Sequence, residues 1–256
     1  MMAYMAQSMT DIGRMPRGGP DASCLDRLLQ TDRPEYLDRD DVDVGDVERS
    51  VIRALEWTGE FFGNTERFAR IVLDEVADVP DPRILELGSG HGGLARKLLE
   101  WHPTAELTVT DIETESVKTT EARALGGDPR ATVREMDATA IDAPDGHFDL
   151  AVFAFSLHHL PPSLASRVFA EGTRAAAKLV IIDLPRPPSP LHILRLAAML
   201  PLAPVVPFVH DGVISSLRAY SPSALRTLAA HADPAIEVEL RGGWMSPQVA
   251  VATRGR

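Results

Sequence analysis

The sequence predicts an α/β protein built on a mostly parallel, doubly wound sheet, and three observations carry that expectation. Ile84-Leu85-Glu86-Leu87 is a short apolar run that breaks into Gly88-Ser89-Gly90-His91-Gly92-Gly93 and then into an amphipathic stretch, the pattern of strand, tight turn and helix. Further strand-like runs follow, so that strand and helix alternate five times between residues 83 and 183. The run from Phe148 to Phe155 is almost continuously apolar, as a central parallel strand covered on both faces requires. Parallel neighbours joined by helical crossovers leave right-handed connections as the only common solution.

The elements follow in chain order. Residues 1–20 read as a disordered tail, and residues 31–48, with eight acidic and two basic side chains, as a solvated approach to a helix. From Val47 to Ala77 the apolar spacing predicts two helices divided near Gly63-Asn64-Thr65, so residues 21–82 form a helical cap before the first strand. The first strand, Arg83 to Leu87, is followed by a helix with Leu94, Ala95, Leu98 and Leu99 on its buried stripe, stopped by His102-Pro103. Leu107 to Asp111 is the second strand, Thr114 to Leu125 the next helix, and Thr132 to Met136 the third strand. After the turn cluster Asp142 to Gly146 come the fourth strand, a helix opened by Pro161-Pro162-Ser163, and the fifth strand, Lys178 to Asp183. Residues 83–183 thus make the core, 184–220 an apolar insertion, and 221–256 a capped helix followed by strands at Ala235 to Leu240 and Gln248 to Ala252.

Composition narrows the function. A net charge of -11 disfavours attraction to a phosphate backbone, so no nucleic-acid partner is expected. One cysteine, Cys24, forms no intramolecular disulfide, and no zinc-type spacing of cysteine and histidine appears, so no metal is expected. No secretory signal is visible at the N-terminus. The longest apolar stretch, Leu191 to Val209, contains His192 and Arg195 and is broken by three prolines, so no integral membrane segment is expected and a cytoplasmic location is the simplest reading.

The glycine turn alone also satisfies a dinucleotide fingerprint through Gly88, Gly90 and Gly93, which keeps a nicotinamide-dependent oxidoreductase as an alternative. Against it, no Tyr-x-x-x-Lys pair is present, and an acid two residues before the glycines suits a cationic ligand group better than a pyrophosphate. With Glu86, Gly88, Gly90 and Gly92 in that order, the chain resembles the class I S-adenosylmethionine-dependent methyltransferases of the small-molecule type. The resemblance implies a Rossmann-like sheet of seven strands in the order 3-2-1-4-5-7-6, with strand 7 antiparallel and helices on both faces. It implies S-adenosylmethionine as cofactor. Glu86 would take its ammonium end, with Gly88, Ser89, Gly90 and Gly92 allowing close approach. Asp111, with Ile112 beside it, would hold the ribose; Asp137 would accept from the adenine amine, with the amide of Ala138 on a ring nitrogen. Phe153, near the end of the fourth strand, would face the methionine portion.

His158 and His159, just beyond that strand, are the candidates for a catalytic base, with substrate positioning as the alternative role. The insertion is expected to form a lid over a hydrophobic or aromatic small-molecule acceptor, with His210, Asp211, Arg218 and Tyr220 as its polar residues. A homodimer contact or a membrane-surface element are the other roles for that segment, and a non-catalytic cofactor-binding partner is the alternative for the whole chain.

Overall fold

The computed structural model describes residues 11–35, 64–199, 201, 206–243 and 246–255. A single sheet organises them. Its strands are β1 (Arg83–Leu87), β2 (Glu106–Asp111), β3 (Ala131–Glu135), β4 (Phe148–Ala154), β5 (Ala176–Asp183), β6 (Ile236–Arg241) and β7 (Gln248–Arg254). They lie in the order β3-β2-β1-β4-β5-β7-β6, as the resemblance implied. Strands β1 to β5 are parallel, and β7 runs antiparallel to both β5 and β6. Chain order reverses at β1, which pairs with β2 on one side and β4 on the other, and a ligand crevice opens where strand ends diverge at such a switch.

Period-two alternation assigns the side chains to two cores. On one face Leu85, Leu87, Phe153, Leu179 and Ile181 pack with helices α5 (Pro162–Ala175) and α8 (Pro222–Ala232), through Phe169, Leu225 and Leu228. On the other, Ile84, Leu107, Val109, Leu150, Val152 and Val180 pack with α2 (Asn64–Glu75) and α3 (Gly93–Trp101), through Phe68, Val72 and Leu98. Helix α5 runs straight into β5, and Gly172 lets it approach so closely that a Cβ there would stand 2.8 Å from the Leu179 methyls. Helix α4 (Thr114–Thr119) continues into a wider turn of π type over Thr120–Ala124.

The segments outside the sheet add three details. Residues 11–20 are not a free tail: Pro16 to Gly19 are buried, and the Ser221 amide donates to the Arg17 carbonyl at 2.9 Å. The Arg17 side chain, 4% exposed, donates to the carbonyls of His158 at 3.1 Å and Leu160 at 2.9 Å and lies 4.5 Å over the Tyr220 ring. Residues 1–10 and the first of the two cap helices lie outside the described residues, while the second, α2, joins the layer packed against the sheet. The short helix α1 (Cys24–Leu28) precedes it, capped by the Ser23 hydroxyl. Lastly, the insertion carries two helices, α6 (Ser189–Met199) and α7 (Pro207–Arg218), tied to the N-terminal segment by buried Arg186. That guanidinium donates to the Asp26 carboxylate at 2.9 Å and to the carbonyls of Leu29, Leu217 and Ala219.

Replacing Arg17 with Ala removes charge-assisted bonds to two carbonyls and is expected to cost about 2–3 kcal/mol, since a hydrogen bond involving a charged group contributes about 1.5–3 kcal/mol. A lower urea midpoint together with faster proteolytic cleavage before residue 35 checks this. An unchanged midpoint means that the segment is not held through Arg17.

Candidate active site

The carboxyl ends of β1 and β2 meet at the glycine turn, and that of β3 lies beside β2. Gly88 leaves β1 with φ +59°, and a Cβ there would stand 2.9 Å from Ser156 Oγ and 3.0 Å from the Phe153 ring. Gly90, with φ +53°, has nothing within 4 Å of its missing Cβ, so that side of the turn faces open space and not packed protein. The turn is braced from three directions. The Ser89 amide donates to the Thr110 carbonyl at 2.9 Å, the Gly90 amide to Asp111 Oδ2 at 2.8 Å, and the Thr120 hydroxyl to the Gly90 carbonyl at 2.9 Å. Gly92 caps α3 in the left-handed conformation, as the motif requires for the sharp entry into that helix.

Glu86 sits beneath this turn, 3% exposed, and its Oε2 has no hydrogen-bond partner. Burial, reinforced by the nearby Asp111 charge and only partly offset by an amide bond from Ala95, pushes its carboxyl up to about 8. A buried carboxyl with an unused oxygen is costly unless something cationic meets it. Ser89 Oγ is likewise buried without a partner.

Asp111, at the end of β2, accepts from the amides of Gly90 and Glu113, at 2.8 Å and 3.0 Å. Two carboxylate oxygens offer about four lone-pair sites, so capacity remains for two hydroxyls. Ile112 beside it is 63% exposed, an uncovered apolar side chain at the rim. The Met136 amide donates to the Asp111 carbonyl at 2.9 Å, which brings the end of β3 alongside. Asp137 follows on an exposed loop, its Oδ1 accepting from the Thr139 amide and hydroxyl at 2.7 Å and 2.8 Å, and Ala138 packs half-buried against the core. Phe153, 4% exposed, lies under Gly88 as part of the core and supports the turn.

The end of β4 is strained. Phe155 holds φ at +51°, a conformation that a non-glycine residue adopts at a cost of order 1–3 kcal/mol and that clusters at functional sites. Its ring packs 5.2 Å from that of Phe68. Beyond it, the His158 amide donates to Asp183 Oδ2 at 2.9 Å, while His158 Nδ1 lies 2.7 Å from Asp183 Oδ1. His158 Nε2 is 3.6 Å from Glu35 Oε1, which accepts from the Ser215 hydroxyl at 2.8 Å. Burial alone would lower the His158 imidazole, but Asp183 and then Glu35 outweigh it and hold it up to about 9. The His159 ring lies 4.2 Å from that of His158.

The insertion's polar residues do not share one position. Arg218 donates to the His159 carbonyl, and the Tyr220 hydroxyl to the Leu160 carbonyl at 2.8 Å, so these two clamp the loop after β4. His210 and Asp211 pair with each other at 3.0 Å on α7. The composition of residues 31–35 carries no mark of Glu35's place beside His158, and nothing local announces Phe155, Arg17 or Thr120. Asp183 was legible as the end of β5 but not as the partner of His158. A separate cleft of about 670 Å³, lined by Arg186, Ser189, Ser221, Arg226, Arg241 and Gln248 among others, touches none of the predicted cofactor residues.

The methyltransferase domain family matches residues 84–178, from β1 through α5 into β5. The chain is also 28% identical over 195 residues to a demethylmenaquinone methyltransferase of Thermus thermophilus, covering 70% of this chain and 86% of that one. The chain is an S-adenosylmethionine-dependent methyltransferase. A second relative, a ubiquinone/menaquinone biosynthesis C-methyltransferase of Ectopseudomonas mendocina, is 28% identical over 116 residues, 44% of this chain and 45% of that one. At the level of fold, the methyltransferase is similar to magnesium protoporphyrin IX methyltransferase from Synechocystis, with a TM-score of 0.57, 16% identity and coverage of 86% and 91%. It is similar also to human N-acetylserotonin methyltransferase, with a TM-score of 0.59, 18% identity and coverage of 91% and 66%. S-adenosylmethionine is the cofactor of this methyltransferase, and the orphaned Glu86 oxygen and the open side of Gly90 fit its aminoacyl end. No helix among the described residues is long and apolar enough to cross a membrane.

Because folded Glu86 keeps its proton over a range in which the unfolded chain gives it up, the ligand-free protein loses stability as pH rises from 4.5 through about 8. Between pH 5.5 and 7.5 the loss attributable to Glu86 is expected to be roughly 2–3 kcal/mol and to be missing in Glu86→Gln. Urea denaturation of both proteins at the two pH values checks it; parallel pH slopes would contradict the burial of an acid at this position.

Proposed function

We propose that this methyltransferase modifies a small aromatic acceptor bearing a hydroxyl group, with the cofactor held by three acids at successive strand ends. The observation that carries the reading is the buried, unpartnered oxygen of Glu86 beneath a glycine turn that leaves open space beside Gly90. A cationic ammonium is the group that such an oxygen stabilises most, and it draws the proton off Glu86 as it binds. Asp111 uses its remaining lone pairs on the ribose hydroxyls. Ile112 gives the adenine an apolar face, while Asp137 and the Ala138 amide read its edge.

The bound cofactor supplies an electrophilic methyl group on a sulfonium sulfur. What the chain contributes is alignment and exclusion of water, which can lower a bimolecular barrier by about 7–11 kcal/mol when reacting atoms are held in line. Phe155 packs its ring on Phe68 at the end of β4, which fixes the start of the following loop, and Arg17, Arg218 and Tyr220 hold the carbonyls of residues 158–160 so that the loop carrying the histidines keeps its place. The Thermus relative is named for methylation of a demethylated menaquinone, and a hydroxylated naphthalene ring is therefore the first acceptor to test.

Asp137→Ala lies on an exposed loop and should leave the fold intact while weakening S-adenosylhomocysteine binding about tenfold, or about 1.4 kcal/mol. Calorimetry checks the cofactor half. Transfer of labelled methyl from S-adenosylmethionine to a panel of naphthols, catechols, amines and carboxylic acids checks the acceptor half. Turnover on amines or carboxylic acids alone would overturn the aromatic assignment.

A further inference from the structure

We propose that Glu35, His158 and His159 form a divalent transition-metal site at the acceptor end of the methyltransferase. Each offers one ligand atom, and the three atoms lie within 4.8 Å of one another. Two imidazoles and one carboxylate suit zinc or a neighbouring first-row metal, whose bonds of about 2.0–2.2 Å require ligand atoms only somewhat closer together. Three protein ligands leave at least one coordination position open, the arrangement of catalytic and not structural metal sites.

The surroundings are those of a ligand set held in place. Asp183 Oδ1, 2.7 Å from His158 Nδ1, holds the proton on that nitrogen and leaves Nε2 directed toward Glu35, where a metal would bind by displacing the second ring proton. A carboxylate behind a ligating histidine commonly sets its tautomer and orientation in this way. Ser215 from α7 donates to Glu35. The cations facing the site, Arg17 from the N-terminal segment and Arg218 from α7, direct hydrogen bonds to the main-chain carbonyls of His158, His159 and Leu160. The three ligands come from two distant stretches of chain, residues 35 and 158–159, which explains why no metal-binding spacing is visible in the sequence.

At the open position a cation would polarise an acceptor hydroxyl, whose proton leaves to water, and the acceptor would then meet the methyl group as an oxyanion. That role rests on the aromatic-hydroxyl reading above, whereas metal binding itself does not.

The test uses the full-length chain stripped with chelator and titrated with Co²⁺, following the visible d–d absorption, with Zn²⁺ added in competition. One saturating equivalent displaced by Zn²⁺ is expected. The affinity should fall at least about tenfold in Asp183→Asn and further in His159→Ala or Glu35→Gln. In wild-type protein Co²⁺ should broaden the ring resonances of His158 and His159 selectively, a readout that needs no substitution. S-adenosylhomocysteine calorimetry on the same samples separates this site from the cofactor site: bound nucleoside with no cobalt band overturns the metal proposal alone. No saturation at one equivalent, no broadening at these two rings, or equal affinity in His159→Ala and Glu35→Gln would overturn it as well.

Discussion

A carboxyl group buried at the end of the switch strand is the constraint on which the rest of this molecule depends. Glu86 occupies the position where chain order reverses, shielded by α3 and the glycine turn, with one oxygen unsatisfied. Such a group is unfavourable in an isolated core and becomes favourable only when a cation reaches it. The left-handed glycines follow from the same need. A turn that carried Cβ atoms would collide with Ser156 and Phe153 on one side and close the approach on the other. Asp111 and Thr120 then hold the turn in its open form, one through the Gly90 amide and the other through its carbonyl.

The second half of the site is governed by a different balance. The loop after β4 begins at a strained Phe155 and carries two histidines, and it is kept in place almost entirely by groups remote in sequence: Arg17, Asp183, Arg218 and Tyr220. Most of these bonds end on main-chain atoms, so they determine where the loop sits without consuming its side chains. The N-terminal segment and the insertion are joined through Arg186 and act as one support for this loop.

Much of the fold was legible because it rests on local regularities. Apolar runs of strand length, the glycine turn, the proline-led helix at Pro222 and the closing hairpin all announce themselves within a few residues, and each was displaced by only one or two positions. The acids from which the cofactor proposal is argued share that legibility, since Glu86 and Asp111 stand near the ends of β1 and β2 and Asp137 follows just after β3. The acceptor half was opaque for the opposite reason. Arg17 and Glu35 lie in polar stretches that resemble a solvated tail, and what makes them buried is the partner surface built more than a hundred residues later. Arg218 and Tyr220 were recognisable as polar residues in an apolar insertion, but a sequence does not distinguish a side chain that lines a pocket from one that braces a loop.

The most direct measurement compares two ligands on two proteins. S-adenosylhomocysteine and 5′-methylthioadenosine share the nucleoside and the sulfur, and only the former carries the aminoacyl ammonium. If Glu86 holds that ammonium, calorimetry of Glu86→Gln against the unaltered chain should show affinity for S-adenosylhomocysteine falling at least about tenfold, or about 1.4 kcal/mol, while affinity for 5′-methylthioadenosine stays the same. Equal losses for both ligands, or none for either, would contradict the account.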